Sequence, residues 1–305
     1  MSGRVQPPGR YPLSVLDERT LPEGYAGTVS VWDIDRTYLA TRFSSLRHLL
    51  RIPLEFAVDK RAIPGMPEVL RALRRGPGPR FAAAPIYFVS ASPPELRPVI
   101  VRKMLLDGVE YDGITCKDWL ATLRGLRPGR LREQVGFKLC ALLEGRRRRP
   151  AARELLFGDD VEKDAQSYWL YARLISGELC HGDADSALEA AGVGAADRAC
   201  VLAMRAELPA TLGAVERAFI YLDRGTSPAE LAPFAPLVVA VRDALQLALA
   251  LRELGLVDER AARETARALA GAARKARGDP GESARDAVAR GLCSAATAGA
   301  LTGGP

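Results

Sequence analysis

The chain has 305 residues, 48% hydrophobic and 26% charged, which suits one large or two modest globular domains with a normal core. Its five cysteines (Cys116, Cys140, Cys180, Cys200, Cys293) are odd in number and scattered, with no Cys-x-x-Cys pair. They argue against a zinc site or a disulfide framework and read as reduced cytosolic thiols. A formal net charge of +6 mildly favours anionic partners such as phosphate esters, lipid head groups or nucleic acid.

Residues 1–27 read as an arm, since Pro7-Pro8-Gly9 and Pro22 discourage a regular element and Met1 to Arg10 lacks the apolar core of a signal peptide. A strand then runs from Thr28 into Asp33-Ile34-Asp35-Arg36-Thr37. Residues two apart in a strand share a face, so Asp33 and Asp35 project together or crowd the same mouth. Two carboxylates there are costly without a cation between them, and Mg²⁺ is the usual answer. Taken alone, an acidic turn after an ordinary strand would read the same way. Tyr38 to Arg51 is polar and basic, and Ile63-Pro64-Gly65-Met66-Pro67 turns the chain into a helix, Glu68 to Arg75, with Val69, Leu70 and Leu73 on its apolar side.

After the break at Gly76-Pro77-Gly78-Pro79, Pro85 to Ser90 reads as a strand buried on both faces. Ala91-Ser92-Pro93-Pro94 opens a helix, Glu95 to Leu106, and a strand, polar turn and helix N-terminus make a natural anion site. Tyr111 to Trp119 is a short excursion back toward the sheet, and Pro128-Gly129 turns the chain again. Leu131 to Leu143 is an amphipathic helix carrying Lys138, whose commoner fate is a solvated surface position. Arg146 to Arg149 reads as a solvated loop or an anchor for acidic surfaces. The next strand ends in Gly158-Asp159-Asp160 with Asp164 five residues beyond Asp159. A loop can fold Asp159 and Asp164 onto one ion while Gly158 lets the backbone approach closely.

Residues 165–177 form a helix with Tyr168, Trp169 and Tyr171. His181-Gly182-Asp183-Ala184-Asp185 reads as an inter-domain loop rather than a metal site. Beyond it the chain is rich in Ala and Leu, with helices near 195–207, 210–222, 229–253, 258–276 and 283–297. Leu237, Val241, Leu245 and Leu249 make an i, i+4 stripe on the third. The longest apolar run, Leu237 to Leu251, is broken by Arg242 and Asp243 and is shorter than the ~20 residues of a membrane span. Thr302 to Pro305 reads as a frayed tail, and the protein as soluble and cytoplasmic.

Acidic or hydroxyl groups just past successive strands, alternating with helices, predict an α/β fold: a doubly wound parallel, Rossmann-like sheet with its site at the carboxyl ends and an all-helical C-terminal region. The four motifs, in order over roughly residues 28 to 175, resemble the haloacid dehalogenase-like (HAD) phosphohydrolase superfamily. Within it, Asp33 to Thr37, Tyr87-Phe88-Val89-Ser90-Ala91-Ser92-Pro93 and Phe157 to Asp164 are most similar to the catalytic domain of actin-patch-associated phosphatidate phosphatases and their bacterial relatives. Arg36 departs from that subfamily, which usually has another acid there.

The resemblance implies a Mg²⁺-dependent phosphomonoesterase. Asp33 would attack phosphorus to give an aspartyl-phosphate, and Asp35 would protonate the leaving oxygen and later activate water. Thr37, Ser90, Ala91, Ser92 and Lys138 would hold the phosphoryl group, Ser90 and Lys138 as part of the catalytic set with Asp33 and Asp35. Mg²⁺ would be held by Asp33, the Asp35 carbonyl and Asp159, with Asp160 or Asp164 completing or orienting the shell.

The expected division is an arm at 1–27, a catalytic domain without a large cap at 28–180 and a helical domain at 181–305. An open site of this kind would accept a bulky phosphorylated substrate, a lipid or a macromolecule. The basic run would make peripheral contact with anionic surfaces, and the helical region would bind a protein partner or self-associate. The alternative is a catalytically silent HAD-fold interaction protein acting through that helical region.

Overall fold

The computed structural model describes residues 11–40, 61–120, 134–273 and 279–299. The start of the expected arm, the basic stretch from 41 to 51, the Pro128-Gly129 turn, the helix start at 131–133, the helix end at 274–276 and the tail lie outside the described residues.

The sheet is built around β2 (Thr28–Asp33), which is buried from Val29 to Asp33. Residues buried on both faces must be apolar at consecutive positions, and Val31-Trp32 is such a pair. On either side of β2 lie β3 (Ile86–Ser90) and β5 (Arg153–Asp159), both parallel to it. Beyond β3 comes β4 (Gly113–Lys117), and beyond β5 come β6 (Val215–Tyr221) and β7 (Val238–Val241), again parallel. β1 (Leu13–Asp17) pairs antiparallel with β4, giving the order β1-β4-β3-β2-β5-β6-β7.

Helices cover both faces, so the sheet is doubly wound. α1 (Met66–Arg75) and α2 (Arg97–Leu106) pack on the Trp32 and Phe88 side. α3 (Val135–Arg148), α4 (Asp164–Ser176), α5 (His181–Ala190) and α6 (Ala195–Ala206) pack on the Val29 and Val31 side. α7 (Ala244–Glu253) and α8 (Glu259–Ala273) return to the first face. α9 (Pro280–Ala289) lies against α7 through Leu245, Leu249, Ala284 and Ala287, and α10 (Ala295–Gly299) follows it. From β2 the chain crosses to β3 on one side, while from β5 it crosses to β6 on the other. This reversal of direction opens a crevice at the carboxyl ends of β2 and β5. Beneath it, Trp32 stacks on Phe157 with ring centroids 3.9 Å apart, and Phe157 on Phe219 at 5.4 Å.

Several local expectations give way to the structure. Leu13 to Asp17, read as part of an arm, is a strand because β4 supplies a hydrogen-bonding edge. The helix expected at 210–222 is instead β6, where Phe219-Ile220-Tyr221 favours a strand and pairs with β5. The long helix expected at 229–253 divides at its prolines and at Asp243. A 3₁₀ turn occupies Pro228–Phe234, then come β7 and α7, and the Asp243 carboxylate caps α7 by accepting from Gln246 N at 2.9 Å. The 283–297 helix breaks at Gly291, which sits at φ 68°, and His181 opens a helix rather than a loop. No helix among the described residues is long and apolar enough to cross a membrane.

Candidate active site

Strand register sets the site. Asp33 lies level with Val89 of β3, and Trp32 with Phe157 of β5, so Asp33, Ser90 and Asp159 arrive at one edge. Immediately after β2 the chain tightens: the Ile34 carbonyl accepts from Tyr38 N at 3.1 Å and Leu39 N at 2.9 Å. This loop gives the two predicted catalytic carboxylates different partners. Asp33 turns toward α3, where the Lys138 ammonium is 2.9 Å from its Oδ1. Asp35 turns toward β3, where its Oδ2 accepts from both Ser90 Oγ and Ser92 Oγ at 3.0 Å. Ser90 Oγ in turn accepts from Ser92 N at 3.0 Å. Ala91 lies in the same turn, its carbonyl accepting from Trp119 Nε1 at 2.7 Å, and Thr37 is buried with no partner for its hydroxyl among the described residues.

Lys138 is 1% exposed, so the surface fate common for a helix lysine does not apply. Its ammonium pairs with Asp33 and with Asp164 Oδ1 and lies 3.7 Å from Glu162 Oε2. The other Asp164 oxygen accepts from Asp159 N at 3.0 Å. Asp159 Oδ1 accepts from Val161 N and Glu162 N, which winds the loop around it. Gly158 makes this possible: a Cβ there would collide with the Asp164 carboxylate.

Asp33, Asp159 and Asp164 therefore offer three buried carboxylates, with one oxygen of each within 4.8 Å of the others. Asp33 Oδ2 and Asp159 Oδ2 have no hydrogen-bond partner among the described residues. Four acids with Glu162 face the single ammonium of Lys138. The electrostatics follow. Burial drives Asp33 well above the usual carboxylate range; Lys138 opposes this, while Glu162, Asp164 and Asp159 add to it. Asp159 is pushed up to about 8, first by burial and then by Asp164. Glu162 rises to about 7, again mainly through burial. Burial alone would lower the Lys138 pKa, but Asp164 and Asp33 together raise it well above its ordinary value. Bare, hard oxygen donors in a buried and over-negative pocket fit a metal ion, so this cluster could hold one.

Asp160 stands apart. Its carboxylate accepts from Arg224 N at 2.9 Å and Thr226 N at 3.1 Å, and it is not one of the three clustered acids. Arg146 to Arg149 also lie away from the site, at the C-terminal end of α3 and just beyond it. Arg146 donates to Ala152 O, Arg147 and Arg148 pair with Glu144, and Arg149 stacks over Tyr87 at 3.6 Å. Glu162 and Tyr168, whose ring centroid is 6.0 Å from the Lys138 ammonium, were not singled out from the sequence as site residues. The only signal for Glu162 was its place between Asp159 and Asp164.

With this geometry in hand, residues 28–179 match the family model described as phosphatidate phosphatase APP1, catalytic domain. Those residues belong to this HAD-like phosphatase family. Comparisons with curated proteins and with solved structures gave no match. The matched segment spans β2 to α4 and so includes Asp33, Asp35, Ser90, Lys138, Asp159 and Asp164. β6 and β7, which complete the sheet, lie outside it.

Proposed function

We infer that the protein hydrolyses a phosphate monoester with Mg²⁺ through an aspartyl-phosphate on Asp33. One observation carries this reading. A buried aspartate at the tip of the central strand has one oxygen against Lys138 and the other without a hydrogen-bond partner among the described residues, beside two further bare or ion-paired carboxylates.

Asp33 Oδ2 attacks phosphorus as the ester P–O bond breaks, and Asp35 gives its proton to the departing oxygen. Water then attacks phosphorus, Asp35 takes its proton, and Asp33 is released with inorganic phosphate. Lys138 favours the ionised form of Asp33 against its burial and draws charge from the phosphoryl oxygens. Ser90 and Ser92 hold the Asp35 carboxylate before substrate binds, and Ser90, with Ser92, Ala91 and Thr37, lines the place for the phosphoryl group. Asp33, Asp159 and Asp164, with the Asp35 carbonyl, would hold Mg²⁺, which when bound supplies positive charge against the phosphoryl oxygens. The family match supports a phosphorylated lipid of the phosphatidate class as substrate.

Phosphate release from a broad phosphoester panel, with and without Mg²⁺, tests the reading. Metal-dependent release that disappears in Asp33→Asn is the expected result. No release from any member would leave a phosphate-binding shell that acts by interaction.

A further inference from the structure

One loop beyond the family-matched segment touches both motif loops. It runs from Leu222 to Ser227 and is fixed at each end. Leu222 N donates to Val241 O at 3.0 Å, and Ser227 forms a reciprocal capping box with Glu230 at the start of the 3₁₀ turn. Within it, Asp223 Oδ2 receives a hydrogen bond from Arg36 Nη1 at 2.7 Å. Arg224 N and Thr226 N both donate to Asp160, whose own N–H donates to Tyr221 O at 3.1 Å.

Arg36 immediately follows Asp35, and Asp160 immediately follows Asp159. We propose that the loop 222–227 is a positioning element of the active site, holding the Asp35 loop through Asp223–Arg36 and the Asp159 loop through Asp160. The proposal rests on the phosphatase reading above. The backbone supports it independently. Arg36 sits at φ 62°, a conformation that a long side chain adopts only where its surroundings hold it. Both Asp160 oxygens are taken by loop amides, so this acid serves as a bracket between loops rather than as an open donor. The Arg36 and Asp223 side chains are 23% and 33% exposed, too wet for their pair to contribute much to global stability. Their value is then in the spacing of the acid/base loop from the metal-binding loop, where an ångström of drift is costly.

The test uses the full chain with Asp223→Asn, Asp223→Glu and Asp160→Ala. Hydrogen–deuterium exchange is read over 34–40 and 158–163, and kcat and KM on the best member of the phosphoester panel. Asp223→Asn should speed exchange at 34–40 and Asp160→Ala at 158–163. Each should lower kcat about tenfold with KM changed less than about twofold. Asp223→Glu, which keeps the carboxylate, should recover most of kcat. For Asp223→Asn the melting temperature should fall by less than about 4 °C. Unchanged exchange in the variants overturns the proposal, as does faster exchange with full kcat. A wild type inactive on the whole panel sinks the phosphatase reading instead, and the exchange arm still decides whether the loop holds its two neighbours.

Discussion

The two ends of α3 present the same ingredients with opposite outcomes. At its C-terminal end, Glu144 and Asp17 meet Arg147 and Arg148, and buried Glu154 accepts from Tyr171 OH at 2.7 Å with Arg146 nearby. Although burial opposes it, the hydrogen bonds from Arg147 and Arg148 hold Glu144 below the usual carboxylate range. At the other end, one lysine faces four acids, and two carboxylate oxygens have no partner among the described residues. A charge cluster whose acids are all covered is architecture. One that leaves buried oxygens bare is costly unless a ligand completes it.

The largest effect that would sharpen this contrast is loss of turnover in Asp33→Asn, by at least about a thousandfold. Because that change removes one of several crowded acids, the metal-free variant should melt no lower than the wild type in calorimetry. Lys138→Met should both lower kcat by at least about a hundredfold and destabilise the metal-free fold by ~3–5 kcal/mol, since it strips the cation that pairs with Asp33 and Asp164. Equal denaturation midpoints for Lys138→Met and wild type would break the comparison. At the other end, Arg146→Met should cost about 2 kcal/mol in urea unfolding and leave kcat within about twofold.

Acidity offers a subtler probe. A carboxyl protonated more tightly in the fold than in the unfolded chain stabilises the fold below its unfolded pKa, and this contribution is lost as pH rises through the folded value. For Asp159 that window runs from 3.8 to about 8, and for Glu162 from 4.5 to about 7. The metal-free site should therefore become less favourable as pH rises across that range. Mg²⁺, which needs the ionised acids, should raise the melting temperature more at pH 8 than at pH 6. An equal Mg²⁺ shift at both would contradict the assignment. The smallest effect belongs to Arg148→Ala, where a 36%-exposed side chain should cost less than about 1 kcal/mol despite its two ion pairs.

How far the site was legible follows the distance over which each signal acts. Asp33, Asp35, Ser90 and Asp159 each stand at or just past a strand whose apolar run announces its end, so their shared edge could be read locally. Lys138 could be read as a residue but not as a buried one, since its partners are three acids contributed by β2, the loop after β5 and the start of α4. For Asp160 the resemblance implied a place, alternative to Asp164, completing or orienting the metal shell. Its actual partners are 64 and 66 residues away. In the same way, Ala- and Leu-rich sequence around 210–253 suggested helices until β5 and then β6 offered pairing edges.

The sequence by itself determined the alternation of strands and helices around the motifs, and with it the end of the sheet where the acids gather, because apolar periodicity and strand-end chemistry are local properties; the family was legible through the resemblance of those motifs. Tertiary structure alone decided the extension of the sheet through β6 and β7, the separation of Asp33 from Asp35 onto different partners, and the bracing of both motif loops by residues 222–227. Those outcomes depend on hydrogen bonds and ion pairs between distant segments, as with Arg36 and Asp223, 187 residues apart, and such pairs form only once the sheet has brought the segments together.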